Sequence, residues 1–136
     1  MNEIASPLAS RPSILSLDWG QKKIGVAVLP ATINVPVPLG ILENNNKKDI
    51  LEHLIFWVKE YQVDKIIIGL PISLSGQEGA QAETVRNETM ILQELGLPLE
   101  FVDERFSSQS GGISAKLAGV REDDAYAAVQ LLEKFL

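Results

Sequence analysis

The chain has 136 residues, 46% of them hydrophobic and 22% charged, with 12 Lys+Arg against 18 Asp+Glu and a formal net charge of −6. That length and apolar fraction suit one globular domain and exclude a wholly disordered chain. The absence of cysteine removes disulfide scaffolds, thiolate metal sites and cysteine nucleophiles, and the single His53 leaves no His-rich metal site, so any chemistry falls to carboxylates.

Residues 1–12 carry Ser6, Pro7, Ser10 and Arg11 without periodicity and read as a flexible leader ahead of one domain over 13–136. A basic flank followed by an apolar stretch is missing there, so no secretory signal is expected. No apolar run approaches the roughly 20 residues of a membrane span, so the expectation is a cytoplasmic protein with no membrane partner. Ser13–Trp19 reads as a strand, Gly20–Lys23 as a tight turn and Ile24–Leu29 as the second strand of a hairpin. Pro30, Pro36 and Pro38 permit only edge or loop structure, after which Leu39–Glu43 suits a short third strand.

Asn46 is placed to cap a helix over Asp49–Tyr61, where Ile50, Leu54, Val58 and Tyr61 share one face with Leu51 and Ile55 beside them. Trp57 follows the same spacing as core or interface, and His53 lies on the surface. Asp64–Leu70, with three consecutive isoleucines, fits a central strand buried on both faces. Pro71–Gly79 is a Ser- and Gly-rich loop, and Ala80–Leu95 a second helix closed by Gly96 and Pro98. Leu99–Val102 is a strand that ends at Asp103-Glu104-Arg105. Gly111-Gly112 interrupts any helix in the stretch that follows, and Asp123–Leu136 is a final helix with Ala128, Leu131, Leu132 and Phe135 inward. A hairpin followed by alternating helices and strands makes an α/β fold, a mixed sheet with helices on its faces.

Three acidic clusters stand in unusual places: Asp18 at the end of an apolar strand, Asp103-Glu104 at the end of another, and Glu122-Asp123-Asp124 at the start of the last helix. Each alone has an ordinary explanation as a turn residue, a cap or a partner of the helix dipole. Together they point to one place. Asp124 shares a face with Ala128, Leu131 and Phe135, which packs on the sheet, so its carboxylate faces inward toward the strand ends. A carboxylate there is costly unless a cation or hydrogen bonds meet it. Inward carboxylates without His or Cys suit hard ions, Mg²⁺ or Mn²⁺. Such ions support hydrolysis of phosphodiesters.

Four ordered segments carry a resemblance: LDWGQKKIGVAV (17–28), IIIGLPISLSGQEGAQAETV (66–85), VDERFSS (102–108) and DAYAAVQLLEKFL (124–136). They resemble the YqgF family, also called RuvX, of Holliday-junction resolvases and pre-ribosomal RNA nucleases. The resemblance implies an RNase H-like fold with a five-stranded mixed sheet flanked by helices. It implies a metal-dependent endonuclease of structured nucleic acid, either ribosomal RNA precursor or branched DNA. Carried over to this chain, it gives Asp18, Asp103, Glu104 and Asp124 as the catalytic acids. Of these, Asp18, Glu104 and Asp124 are the expected ligands of one or two Mg²⁺ or Mn²⁺, and Asp123 is a solvated charge.

Lys22 and Lys23 in the hairpin turn, together with Arg105, Ser107 and Ser108, are the candidates for contact with a phosphate backbone. The chain departs from the family pattern at Ser75-Gly76, where Asp before Gly is usual, at Phe106-Ser107-Ser108 in place of Leu-Thr-Thr, and in a shortened stretch from Glu104 to Asp124. Setting aside Asp18, Asp103, Glu104, Asp123 and Asp124 leaves 13 of the 18 acids against 12 bases, so the rest of the chain is close to neutral. Two other readings compete. One is a non-catalytic RNase H-like module that binds nucleic acid or a ribosome precursor. The other is a phosphotransferase of the actin-like and sugar-kinase type, whose phosphate loop also reads Asp-x-Gly before a hairpin. The sequence leaves the oligomeric state open.

Overall fold

The computed structural model describes residues 11–104 and 125–136. Its strands run in the spatial order β3-β2-β1-β4-β5, where β1 is Ile14–Trp19, β2 Lys23–Leu29, β3 Val37–Glu43, β4 Lys65–Leu70 and β5 Leu99–Asp103. β1–β2 and β2–β3 are antiparallel, while β1–β4 and β4–β5 are parallel. Five strands in one mixed sheet match the architecture expected from the sequence. Helix α1 (Lys47–Glu60) starts where Asn46 accepts a hydrogen bond from the Asp49 amide. That is two residues earlier than the apolar pattern alone suggests, because the first turn is polar and exposed. Helix α2 covers Ala80–Glu88 and helix α3 Tyr126–Leu132.

β1 is central, and its alternation divides the core. Leu15, Leu17 and Trp19 face one side with Ile66, Ile68 and Leu70 of β4, under α1 and α2. Ile14 faces the other side with Ala27, Leu29, Ile67 and Val102, under α3. The isoleucine run Ile66–Ile68 is fully buried because β4 has neighbours on both edges and helices on both faces. Ser16, on the α3 side, spends its buried hydroxyl on the Ala128 carbonyl at 2.8 Å.

Several boundaries differ from the sequence reading. β3 begins at Val37 and takes in Pro38, which it tolerates as the edge strand with a register shift opposite Val26/Ala27. The single helix expected over Ala80–Leu95 is α-helical only to Glu88 and continues as a 3₁₀ turn over Thr89–Leu95. The buried Thr89 hydroxyl donates back to the Val85 carbonyl at 2.7 Å, a side-chain bond that competes with the helical ladder at that point. α3 likewise tightens into a 3₁₀ turn over Glu133–Phe135. Ile55, expected beside the core face of α1, is 40% exposed. Arg11 bonds to the carbonyls of Pro30 and Ile33 and to the Asn34 side chain. No described helix is long and apolar enough to cross a membrane.

Gly69 lets α3 close on the sheet, whereas a Cβ on Gly25 would meet only ordinary contacts. A Cβ on Gly25 would stand 3.6 Å from the Ala125 Cα and 3.7 Å from the Asp18 Cβ. One on Gly69 would stand 2.9 Å from Leu131 Cδ1 and 3.4 Å from Glu104 Oε1. Leu131 is fully buried and has nowhere to retreat. Gly69→Ala is therefore expected to cost about 1–3 kcal/mol by overpacking, read as a lowered urea midpoint with unchanged slope. A midpoint unmoved within error would show that α3 is not seated on Gly69.

Candidate active site

The carboxyl ends of the parallel strands β1, β4 and β5 lie side by side, the crevice where open α/β sheets hold their ligands. Asp18 is the penultimate residue of β1. It shares the α3 side with Ser16, because side chains two apart on a strand point the same way. Glu104 follows β5 directly, on the same side as Val102. Gly69 of β4 sits between them, and a Cβ there would stand 3.4 Å from Glu104 Oε1. Lys134 fixes the end of β5 from outside by donating to the Asp103 carbonyl at 2.8 Å.

Asp18 and Glu104 are hydrogen-bonded to each other, which two ionised carboxylates cannot be. Glu104 holds the proton. Burial pushes its carboxyl up first, then the hydrogen bond it donates to Asp18, then the negative charges of Asp18 and Asp103, to a pKa of about 7. Asp103 pairs in register with Leu70, whose side chain belongs to the opposite core, so it contributes charge from across the sheet edge. The pair is a hard-oxygen donor set that holds a proton where a divalent cation would serve better, and in this sense it fits Mg²⁺ or Mn²⁺. Among the described residues no group of three His, Cys, Asp or Glu side chains is gathered to hold a metal.

The third expected ligand, Asp124, lies outside the described residues, as do Arg105, Ser107 and Ser108. Ala125, covalently next to Asp124, is packed over Gly25, the register partner of Asp18. Lys22 and Lys23 are exposed on the turn that follows Asp18. That turn closes through the Gly20 amide donating to the Lys23 carbonyl at 2.9 Å and is tied to β3 by the Asn44 amide donating to the Lys22 carbonyl at 2.8 Å.

A cleft of about 170 Å³ opens beside the carboxylates, lined by Asp18, Trp19, Gly20, Gln21, Pro71, Gln81, Thr84, Val85, Glu88 and Glu104. The Ser- and Gly-rich loop after β4 reaches it only through Pro71. Farther out, that loop folds on itself, with the Gly76 amide donating to the Ser73 carbonyl at 2.8 Å and the Ser73 and Ser75 hydroxyls 2.8 Å apart. Ser75 thus supplies a local turn bond. The cleft's far wall belongs to α2. Glu88 there accepts from the Trp19 indole at 2.9 Å and from the Asn44 side chain at 3.2 Å. Sequence reasoning missed Glu88 and Asn44. An exposed acid in a helical run and an Asn in a polar turn are ordinary, and nothing short of the sheet register brings them together. Trp19 is 6% exposed and packs into the core on the side of α1 and α2.

The model of the RuvX family, described as Holliday junction resolvase, matches residues 12–136. The chain belongs to the RuvX family. This RuvX chain is 31% identical over 143 residues to a Rickettsia bellii protein named "Putative pre-16S rRNA nuclease", covering 100% of this chain and 93% of the other. A Dictyoglomus thermophilum protein of the same name is 31% identical over 131 residues, covering 90% of this chain and 94% of its own length. Among solved structures, Thermus thermophilus RuvC in complex with a Holliday junction substrate superposes with a TM-score of 0.63 at 10% identity, over 89% of this chain and 90% of that one. RuvC on its own gives 0.59 over 88% and 90%. At such identity the likeness is one of fold, and the fold is RNase H-like.

The shared proton predicts how stability responds to pH. The folded chain keeps it on Glu104 up to about pH 7, whereas the unfolded chain releases it near the ordinary value of 4.5. Between those values the native state binds more protons, so stability is full below the lower one and is lost as pH rises through the upper. Metal-free protein should show a urea midpoint that falls from pH 5 to pH 8. Millimolar Mg²⁺ should recover the loss at pH 8 by mass action and do little at pH 5. Asp18→Asn should flatten the metal-free slope. A midpoint independent of both pH and Mg²⁺ would contradict the shared proton.

Proposed function

We propose that this RuvX-family chain is a divalent-metal-dependent endonuclease. It hydrolyses phosphodiester bonds in structured nucleic acid, in ribosomal RNA precursor processing or Holliday junction resolution, and works in the cytoplasm. The observation that carries this reading is the meeting of Asp18 and Glu104, 86 residues apart in sequence, in a half-buried pair with a proton held up to about pH 7. Such an arrangement is uphill for folding and is explained by what it binds. Family membership and relatives named as nucleases of pre-16S rRNA support the same class of substrate.

In this reading Asp18 and Glu104 would hold Mg²⁺ or Mn²⁺ together with Asp124, the residue before Ala125 in the chain. When bound, the ion neutralises charge on the phosphoryl oxygens and lowers the pKa of a water nucleophile. The residues' own part is to be ionised and aligned. Glu104, whose raised pKa of about 7 leaves it partly protonated near neutrality, would have to give up that proton for an ion to be held. Asp18 is held in register by its strand pairs on both sides. Asp103 adds negative potential that favours cation binding without occupying the cleft. Lys22 and Lys23 meet the phosphate backbone, and Arg105, Ser107 and Ser108 are the further candidates to contact it. The same reading treats residues 13–136 as one nuclease domain behind a leader at 1–12. The kinase-like alternative requires a second domain to close on ATP, and all described strands belong to one sheet.

The test is cleavage of a branched DNA and of precursor rRNA with Mg²⁺, in parallel for wild type, Asp18→Asn and Asp124→Asn. Each substitution is expected to lower the rate by more than the roughly 10–100-fold typical of losing an outer partner of a metal ligand. Which substrate is cut names the process. Full rates from both variants, or no cleavage of either substrate by wild type, would overturn the assignment and leave the non-catalytic binding module.

A further inference from the structure

We propose that the cleft beside the carboxylate pair is a subsite for one unstacked cytosine adjoining the scissile phosphate, with Glu88 accepting from its exocyclic amine. This rests on the nuclease reading of Asp18 and Glu104.

Size comes first. A cavity of roughly 150 Å³ holds a benzene ring, so the cleft's 170 Å³ admits a single six-membered ring and leaves a purine protruding. Charge comes next. Among the described residues no Lys or Arg lines the cleft, and its polar groups are carboxylates, amides and a hydroxyl. At its Glu88 end these groups repel a phosphate, whereas a neutral group that donates hydrogen bonds is welcome. Trp19, Pro71 and Val85 supply apolar surface for the ring.

Glu88 is held ready for such a donor. Its Oε1 takes both the Trp19 indole and the Asn44 amide, and the same Asn44 nitrogen donates to the Gly20 carbonyl at 2.8 Å. The carboxylate is therefore anchored at one oxygen by two different elements, and Oε2 has no partner among the described residues. A carboxylate fixed in this way matches the amino group of cytosine, the acid–cytosine pairing seen in base readout. Uracil would present a carbonyl oxygen to it instead. The amides of Gln21 and Gln81 remain to donate to the ring's own acceptors. The two ends of the cleft are one nucleotide's work: phosphate at Asp18 and Glu104, base at Glu88. A base already unpaired at a junction or in a loop enters at the least unstacking cost.

The experiment places C, U, A, G or an abasic residue at each single position flanking the cut in otherwise identical branched DNA and structured RNA. Cleavage with Mg²⁺ is measured, and so is binding of the same labelled strands by fluorescence anisotropy with metal withheld. Wild type should favour C over U and over the abasic site by roughly tenfold at one position. Glu88→Gln, which presents an amide donor as well as an acceptor, should erase the C-over-U preference or turn it toward U. Its thermal midpoint and its Mg²⁺ response report that the fold and the carboxylate pair survive. Equal binding and cutting of C, U and abasic strands by wild type would overturn the subsite while leaving the nuclease reading intact. So would a C preference unchanged in Glu88→Gln. A C preference in binding without cleavage of any strand would do the reverse.

Discussion

Everything in this molecule is arranged around two carboxylates that do not want to be neighbours. Burial and the negative charge of Asp18 hold the Glu104 proton up to about pH 7, and the fold carries that cost. It can do so because each is attached to a strand with little freedom. β1 is paired on both edges, and β5 is tied in register along β4. The core beneath is continuous and fully buried on both faces of β1 and β4. Gly69 removes the side chain that would collide with Leu131 of α3. The pair is thus a local deficit held in place by a global surplus, the form that a preorganised ion site takes.

That deficit also resolves the charge problem. A chain with a net charge of −6 is a poor electrostatic partner for a polyanion. Under the proposed reading, part of the excess sits at Asp18, Asp103 and Glu104, where a divalent ion would replace the proton and reverse the local sign. Lys22 and Lys23, exposed on the turn next to Asp18, would reinforce the ion. Metal loading and nucleic-acid binding would then be coupled through the same few oxygens.

The strands were legible because their apolar runs are short, buried and bounded by turn residues. Ile66–Ile68 announces a central strand, and Asn46 announces the start of α1 through its side-chain bond to the Asp49 amide. Asp18 and Glu104 stood out because a carboxylate at the end of an apolar strand has no reason to be there on packing grounds. What the sequence hid was set by register and by local competition. Thr89 turns a helix into a 3₁₀ segment through a hydroxyl bond that no periodicity reveals. Pro38 could join β3 only because that strand is at the edge. The meeting of Glu88, Asn44 and Trp19 joins residues 44 and 69 positions apart in sequence, and no pattern in any one of their segments points to the others.

The junction of Asp18 and Trp19 gives the site its division of labour. Consecutive residues on a strand face opposite ways, so the last two positions of β1 deliver a carboxylate to the α3 side and an indole to the α2 side. The cleft straddles the sheet edge between them. On one side lie the oxygens that meet a cation, backed by α3 and by Lys134 on the Asp103 carbonyl. On the other lie hydrogen-bonding groups of α2, locked to β1 by the Trp19–Glu88 bond. A change in α2 can therefore alter what lies in the cleft without moving Asp18, while the packing of α3 governs whether the carboxylates stay paired. Chemistry and recognition are separated by the thickness of one strand and joined by a single peptide bond.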